Sequence, residues 1–144
     1  MPRILLIDDD DTVRAMIHAM LKSAGHEVTV ATDGLEGLDQ ARQQTFDLVL
    51  CDIFMPRLDG IATLTELRRL DDKVPVVMMT AGSPLAARIG RREENADYLA
   101  LARSLGATET IEKPFRFRQL TGLVEQVLVR AVPPPLPDQA LAAQ

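Results

Sequence analysis

Five side chains in this sequence carry groups that could act together on an anion. They are Asp8 and Asp9 at the end of ILLIDD, Asp52 at the end of LVLCD, Thr80 at the end of VVMMT, and Lys113 just after TETIE. Each stands at or just past a run that reads as a strand, where a chain leaves the core for solvent. Three carboxylates brought close repel one another and bind protons unless a hard cation neutralises them. Magnesium suits such a set, because it takes oxygen ligands and keeps waters whose places phosphate oxygens can fill. A cation, an ammonium and a hydroxyl around an ionised carboxylate make a phosphoryl-transfer site, since the developing charge lies on equatorial oxygens. Asp52, ionised at neutral pH, is itself a nucleophile and needs no general base. Singly, the residues have plainer readings: a solvated turn for the aspartates, a cap for Thr80, a surface charge for Lys113.

What brings them together is an alternation of strands and helices. In Leu48 to Gly60, LVLCDIFMPRLDG, four apolar residues end in Asp52, and Pro56 makes residues 53 to 59 a stiff loop before helix resumes near Gly60. Upstream, Arg3 to Ile7 is a strand. From Thr12 the period becomes 3.6, with Val13, Met16, Ile17, Met20 and Leu21 on one face, Asp11 or Thr12 as the cap and Gly25 as the stop. Glu27 to Ala31 reads as a second strand and Leu35 to Gln43 as a short helix, with Leu38 and Ala41 inward. Ile61, Leu64 and Leu67 mark a third helix, Val74 to Thr80 a fourth strand, Asp97 to Leu105 a helix, Thr108 to Glu112 a fifth strand and Arg116 to Val132 a last helix. Such alternation predicts an α/β domain with a doubly wound, five-stranded parallel sheet of order 2-1-3-4-5 and helices on both faces. In that order strands 1 and 3 flank the switch point, so Asp8 and Asp9 face Asp52 across one strand spacing.

The chain of 144 residues is one domain by size. Its net charge of -5 argues against a general nucleic-acid binder and leaves protein partners open. Cys51, the single cysteine, excludes an internal disulfide, reads as a small core residue, and favours a reducing, cytoplasmic setting. No apolar run suggests a signal peptide or a membrane span. The end, VPPPLPDQALAAQ, cannot continue the last helix, so residues 1–132 are expected to be the domain and 133–144 a Pro-rich tail or linker stub.

ILLIDD, LVLCDIFMPRLDG, VVMMTA and KPF, in this order and strand context, resemble the receiver domain of two-component response regulators, over residues 3 to about 130. The resemblance implies a flavodoxin-like fold and Asp52 as acceptor of a phosphoryl group from the phosphohistidine of a sensor histidine kinase or phosphotransfer protein. It implies Mg2+ held by Asp9, Asp52 and the backbone carbonyl of Phe54, with Asp8 acting mainly through a metal-bound water. Lys113 would pair with phosphoryl oxygens, Thr80 would move to bond one of them, and the Lys113–Pro114 bond would be cis. The output would be a changed surface of helix 4, strand 5 and helix 5, read by a downstream protein or by an output domain outside this sequence.

Two features depart from the family pattern. An aromatic residue often stands three positions before the lysine; here it is Thr110. The connection after Thr80, Ala81 to Asn95 with the basic run Arg88, Arg91 and Arg92, is also longer than usual. Two other classes compete. ILLIDDDDTV also fits the DxDxT start of haloacid-dehalogenase-like phosphatases, with Asp8 as nucleophile, but the acidic pair that family needs after the lysine is missing. A receiver-like module that binds partners without phosphorylation is the third.

Overall fold

A computed structural model of the chain describes residues 1–80 and 92–131, the side chains of the second stretch from Asp97 on. Five strands, β1 (Arg3–Ile7), β2 (Glu27–Ala31), β3 (Leu48–Asp52), β4 (Val76–Thr80) and β5 (Glu109–Glu112), alternate with helices. The helices among the described residues are α1 (Asp11–Ser23), α2 (Gly34–Gln43), α3 (Gly60–Leu70), α4 (Arg92–Ser104) and α5 (Phe117–Ala131). All paired strands are parallel, in the order β2-β1-β3-β4-β5. This is the predicted doubly wound sheet.

Strand alternation sorts the core into two layers. Leu5, Ile7, Val49, Cys51, Val76 and Met78 point to the face covered by α2, α3 and α4, where they meet Leu38, Leu64, Leu67 and Ala102. Ile4, Leu6, Leu48, Leu50, Val77 and Met79 point the other way, onto Ile17 and Leu21 of α1 and Leu120, Val124 and Val127 of α5. Because β1, β3 and β4 are covered on both sides, they read as unbroken apolar runs, each fully buried aliphatic side chain contributing about 1.5–3 kcal/mol.

The register then sets the rim. Ile7 lies opposite Cys51, Asp52 opposite Met79, and Thr80 opposite Glu112, so Asp8, Asp52, Thr80 and Lys113 end neighbouring strands at one edge.

Several expectations are corrected in detail. The cap of α1 is Asp10, whose carboxylate accepts the Val13 N–H at 3.0 Å, with Asp11 already inside the helix and paired to Arg14. A capping carboxylate reaches the amide three residues on, which places it one position earlier than predicted. Met16 is 47% exposed rather than inward. β4 starts at Val76, because Pro75 has no N–H and the Val74 carbonyl is taken by Arg68. α4 starts at Arg92, five residues before the predicted Asp97: its first residues, REENA, show no apolar period although Arg92, Glu93, Glu94 and Ala96 are good helix formers. Thr108 precedes β5 and accepts the Val76 N–H with its hydroxyl. Of the predicted long connection, residues 81–91, including Arg88 and Arg91, lie outside the described residues, as does the predicted tail, 133–144. Among the described residues no helix is long and apolar enough to cross a membrane.

Candidate functional site

Asp8 is completely buried and held from several sides. Its carbonyl accepts from Arg14 Nη1 at 2.9 Å, Oδ1 accepts the Asp10 N–H at 3.0 Å, and Oδ2 accepts from Lys113 Nζ at 2.7 Å. Asp52, 7% exposed, ends β3 with Oδ2 3.4 Å from the same ammonium. Asp9, next in the chain, is exposed to solvent. Each of these three aspartates offers an oxygen, and these oxygens lie within 4.8 Å of one another. Thr80 is fully buried at the end of β4, and its carbonyl accepts the Lys113 N–H at 2.7 Å, which fixes the lysine's start beside the threonine. The Lys113–Pro114 bond is cis, as the resemblance implied.

Burial pushes the Asp52 carboxyl up to about 6; Lys113 pulls it down, while Asp8 and Asp9 add to the rise. For Lys113 burial works against the charge, but the hydrogen bond to Asp8 and the charges of Asp52 and Asp8 outweigh it and hold the ammonium above its ordinary value. The Cys51 thiol is pushed well up by burial and by the neighbouring carboxylates, which fits an inert core residue.

Hard oxygen donors crowded on one rim, two of them buried and sharing a single ammonium, are a set that a small divalent cation would complete. The residues therefore fit Mg2+.

Several residues that position the site were not tied to it by the sequence. Gly60 closes the loop after Asp52: its N–H bonds the Ile53 carbonyl at 2.7 Å, and a Cβ there would fall 2.1 Å from the Asp52 carbonyl oxygen. Asp33, buried, caps α2 through the Glu36 N–H at 2.9 Å and also pairs with Arg57, which stands at φ 66 in the loop after Asp52. Asp33 before a helical run was findable as a cap; its pairing with Arg57 was not. Thr110 accepts a hydrogen bond from Arg103 Nη2 at 2.9 Å. The Phe54 ring meets the Tyr98 ring of α4 edge-on.

Residues 4–125 match the family model for the response regulator receiver domain. The chain belongs to that family. It is 37% identical over 125 residues to the transcriptional regulatory protein ZraR of Escherichia coli, covering 87% of this chain and 26% of that one. It is 37% identical to the transcriptional regulatory protein CpxR homolog of Haemophilus influenzae, covering 93% and 53%. The chain thus spans between a quarter and about half of these curated relatives. Among solved structures, the receiver domain of NtrX from Brucella abortus superposes with a TM-score of 0.77 at 30% identity, covering 88% of this chain and 98% of that one. A CheY-like receiver protein from Methanospirillum hungatei gives 0.78 at 27%, covering 91% and 96%. As a receiver domain, the chain is the switch module of two-component signalling. The dehalogenase-like alternative gains nothing: the chain matches the receiver family along most of its length, and Asp8 is committed to Lys113 and Asp10.

Proposed function

We propose that Asp52 accepts a phosphoryl group from a phosphohistidine of a sensor histidine kinase or phosphotransfer protein. The observation that carries this reading is Lys113 Nζ, just past β5, standing 2.7 Å from Asp8 Oδ2 and 3.4 Å from Asp52 Oδ2 at the ends of the neighbouring strands β1 and β3. The Asp52 carboxylate attacks phosphorus, the new O–P bond forms as the P–N bond breaks, and the bond's electron pair goes to the donor ring, which leaves as neutral imidazole by keeping the proton on its other nitrogen or taking one from water. Lys113 supplies fixed positive charge to the equatorial oxygens, and Thr80 would move so that its hydroxyl donates to one of them. Asp8, Asp9, Asp52 and the Phe54 carbonyl would hold Mg2+, which would supply charge neutralisation for the phosphoryl oxygens. The chain would act catalytically only on itself, in gaining and losing the group.

The signal is a changed surface at α4, β5 and α5, since a phosphate of nearly two charges reorganises the groups around Lys113 and Thr80. Its readers are a downstream protein or an output domain beyond this sequence. The relatives' transcriptional role belongs to proteins of which this chain spans between a quarter and about half, and the acidic balance of this chain favours protein contact over direct nucleic-acid contact. We place the domain at residues 1–132 and the protein in the cytoplasm.

The test is intact-mass spectrometry after incubation with acetyl phosphate and Mg2+. The wild type should gain one acid-labile phosphoryl group and Asp52→Asn none. Labelling retained in Asp52→Asn would overturn the assignment.

A further inference from the structure

α4 is anchored at its C-terminal end. Arg68, on α3, donates to the Gly106 carbonyl at 2.7 Å from Nη2 and to the Val74 carbonyl at 2.6 Å from Nη1. Arg103 reaches Thr110 on β5. Toward the phosphoacceptor, α4 meets the loop after β3 through two rings: Tyr98 and Phe54 lie with centroids 5.0 Å apart at 80°. In this arrangement the positive edge of one ring faces the negative face of the other. Phe54 is two residues past Asp52 and packs half-buried on the core layer beneath α3 and α4, whereas Tyr98 is 38% exposed. A small displacement of α4 about its fixed end therefore moves the Tyr98 ring, and with it Phe54, two residues past Asp52.

We propose that Tyr98 is a positioning residue for the phosphoacceptor loop, tying the placement of α4, through the Phe54 ring, to the lifetime of a phosphoryl group on Asp52. The inference rests on Asp52 being the acceptor. Loss of the group is attack of water on phosphorus: a new P–O bond forms, the P–O bond to Asp52 breaks, the carboxylate is regenerated, and inorganic phosphate leaves with the protons of the water. Phe54 stands beside that path and limits water there; Tyr98 holds Phe54 in place. Coupling of this kind is reciprocal. A partner that grips the exposed side of Tyr98 lengthens or shortens the signal, and phosphorylation changes what that partner meets.

Tyr98 is the only tyrosine and the chain has no tryptophan, so intrinsic emission reports this one contact. The experiment takes the full chain, labels it with acetyl phosphate and Mg2+, removes the donor, and follows the decay of the label by intact mass. Tyr98→Ala should decay about two- to tenfold faster, the range that an aromatic pair can set, while Tyr98→Phe stays close to wild type. Adding Tyr98→Ala to Phe54→Ala should change nothing further, because the path is then already open. In parallel, tyrosine emission should respond to Mg2+ alone and again to the label in the wild type, and be silent in Phe54→Ala. An unlabelled wild type sinks the assignment of Asp52, and the Mg2+ titration of the emission still decides the coupling. A labelled wild type whose decay ignores Tyr98→Ala, or whose emission never changes, overturns the inference and leaves Asp52 standing.

Discussion

α3 lies so close to the sheet that only glycine fits where it begins, and it buries Thr63, Leu64 and Leu67 beneath it. Its neighbour α2 makes the same kind of approach, since a Cβ on Gly34 would fall 2.1 Å from the Thr63 hydroxyl oxygen. α4 covers the next strip of the same face and buries Ala102 alone among its described side chains, leaving Tyr98, Leu101 and Leu105, just past its end, exposed. Beside Ala102 and the half-buried Leu99, its attachments among the described residues are guanidinium hydrogen bonds and one ring contact, and one of those guanidiniums, Arg68, is lent by α3. The difference divides the labour. Close-packed interiors have little room to deform, so the α3 side can hold Asp52 to a fixed geometry. Side-chain hydrogen bonds at the surface have small net energies, so the α4 side can change its placement at little cost.

The largest effect should come from Gly60→Ala. Helix propensity alone favours alanine by about 1 kcal/mol, but the added methyl meets the backbone of Asp52 and Ile53, which cannot rotate away. We expect a net loss on the order of 3 kcal/mol in urea unfolding. Gly122 in α5, where a Cβ would meet nothing within 4 Å, is the control, and alanine there should stabilise. If both substitutions stabilise, α3 is not tightly seated and the contrast with α4 fails.

The rigid side carries a cost that pH exposes. The carboxyl of Asp52 ordinarily titrates at 3.8 and is held at about 6 in the folded chain. Between these values the folded state binds the proton that the unfolded chain has released, so this residue's contribution to stability is full below 3.8 and is lost as pH rises through 6. Without divalent cation, Asp52→Asn should therefore be more stable than wild type at pH 7.5, by up to roughly 3 kcal/mol, with the gap closing toward pH 4. Thermal melts in chelator across that range check it; a gap independent of pH would mean that charge burial is not what separates the two proteins.

The same contrast explains what could be read from the sequence. Asp8, Asp52 and Thr80 were legible because each ends an unbroken apolar run, and parallel register converts run ends into a common rim. The order of the sheet followed from alternation. Gly60 looked like an ordinary turn residue, because its close approach to Asp52 depends on how α3 docks and leaves no local pattern. Pairing of Arg57 with Asp33 joins positions with no periodic relation, as does the contact of Tyr98 with Phe54. α4 was hardest throughout: a helix that buries little has a weak apolar period, so the looseness that suits it to change also hides its start.

The smallest effect is expected on the α4 side itself. Thr110→Val keeps the branched shape that suits β5 and removes only the acceptor of the Arg103 hydrogen bond, which is open to solvent. Water can replace such a partner, so global stability should fall by less than about 1 kcal/mol. The local consequence is larger in proportion. With Arg103 released, the last turn of α4 keeps Arg68 on the Gly106 carbonyl but loses its tie to β5, and opening of that turn should become easier. Amide hydrogen exchange should therefore quicken in residues 98–105 while residues 60–70 of α3 keep their wild-type protection. Equal acceleration in both helices would show that they open as one unit, and the division between a fixed and an adjustable side of the sheet would have to be given up.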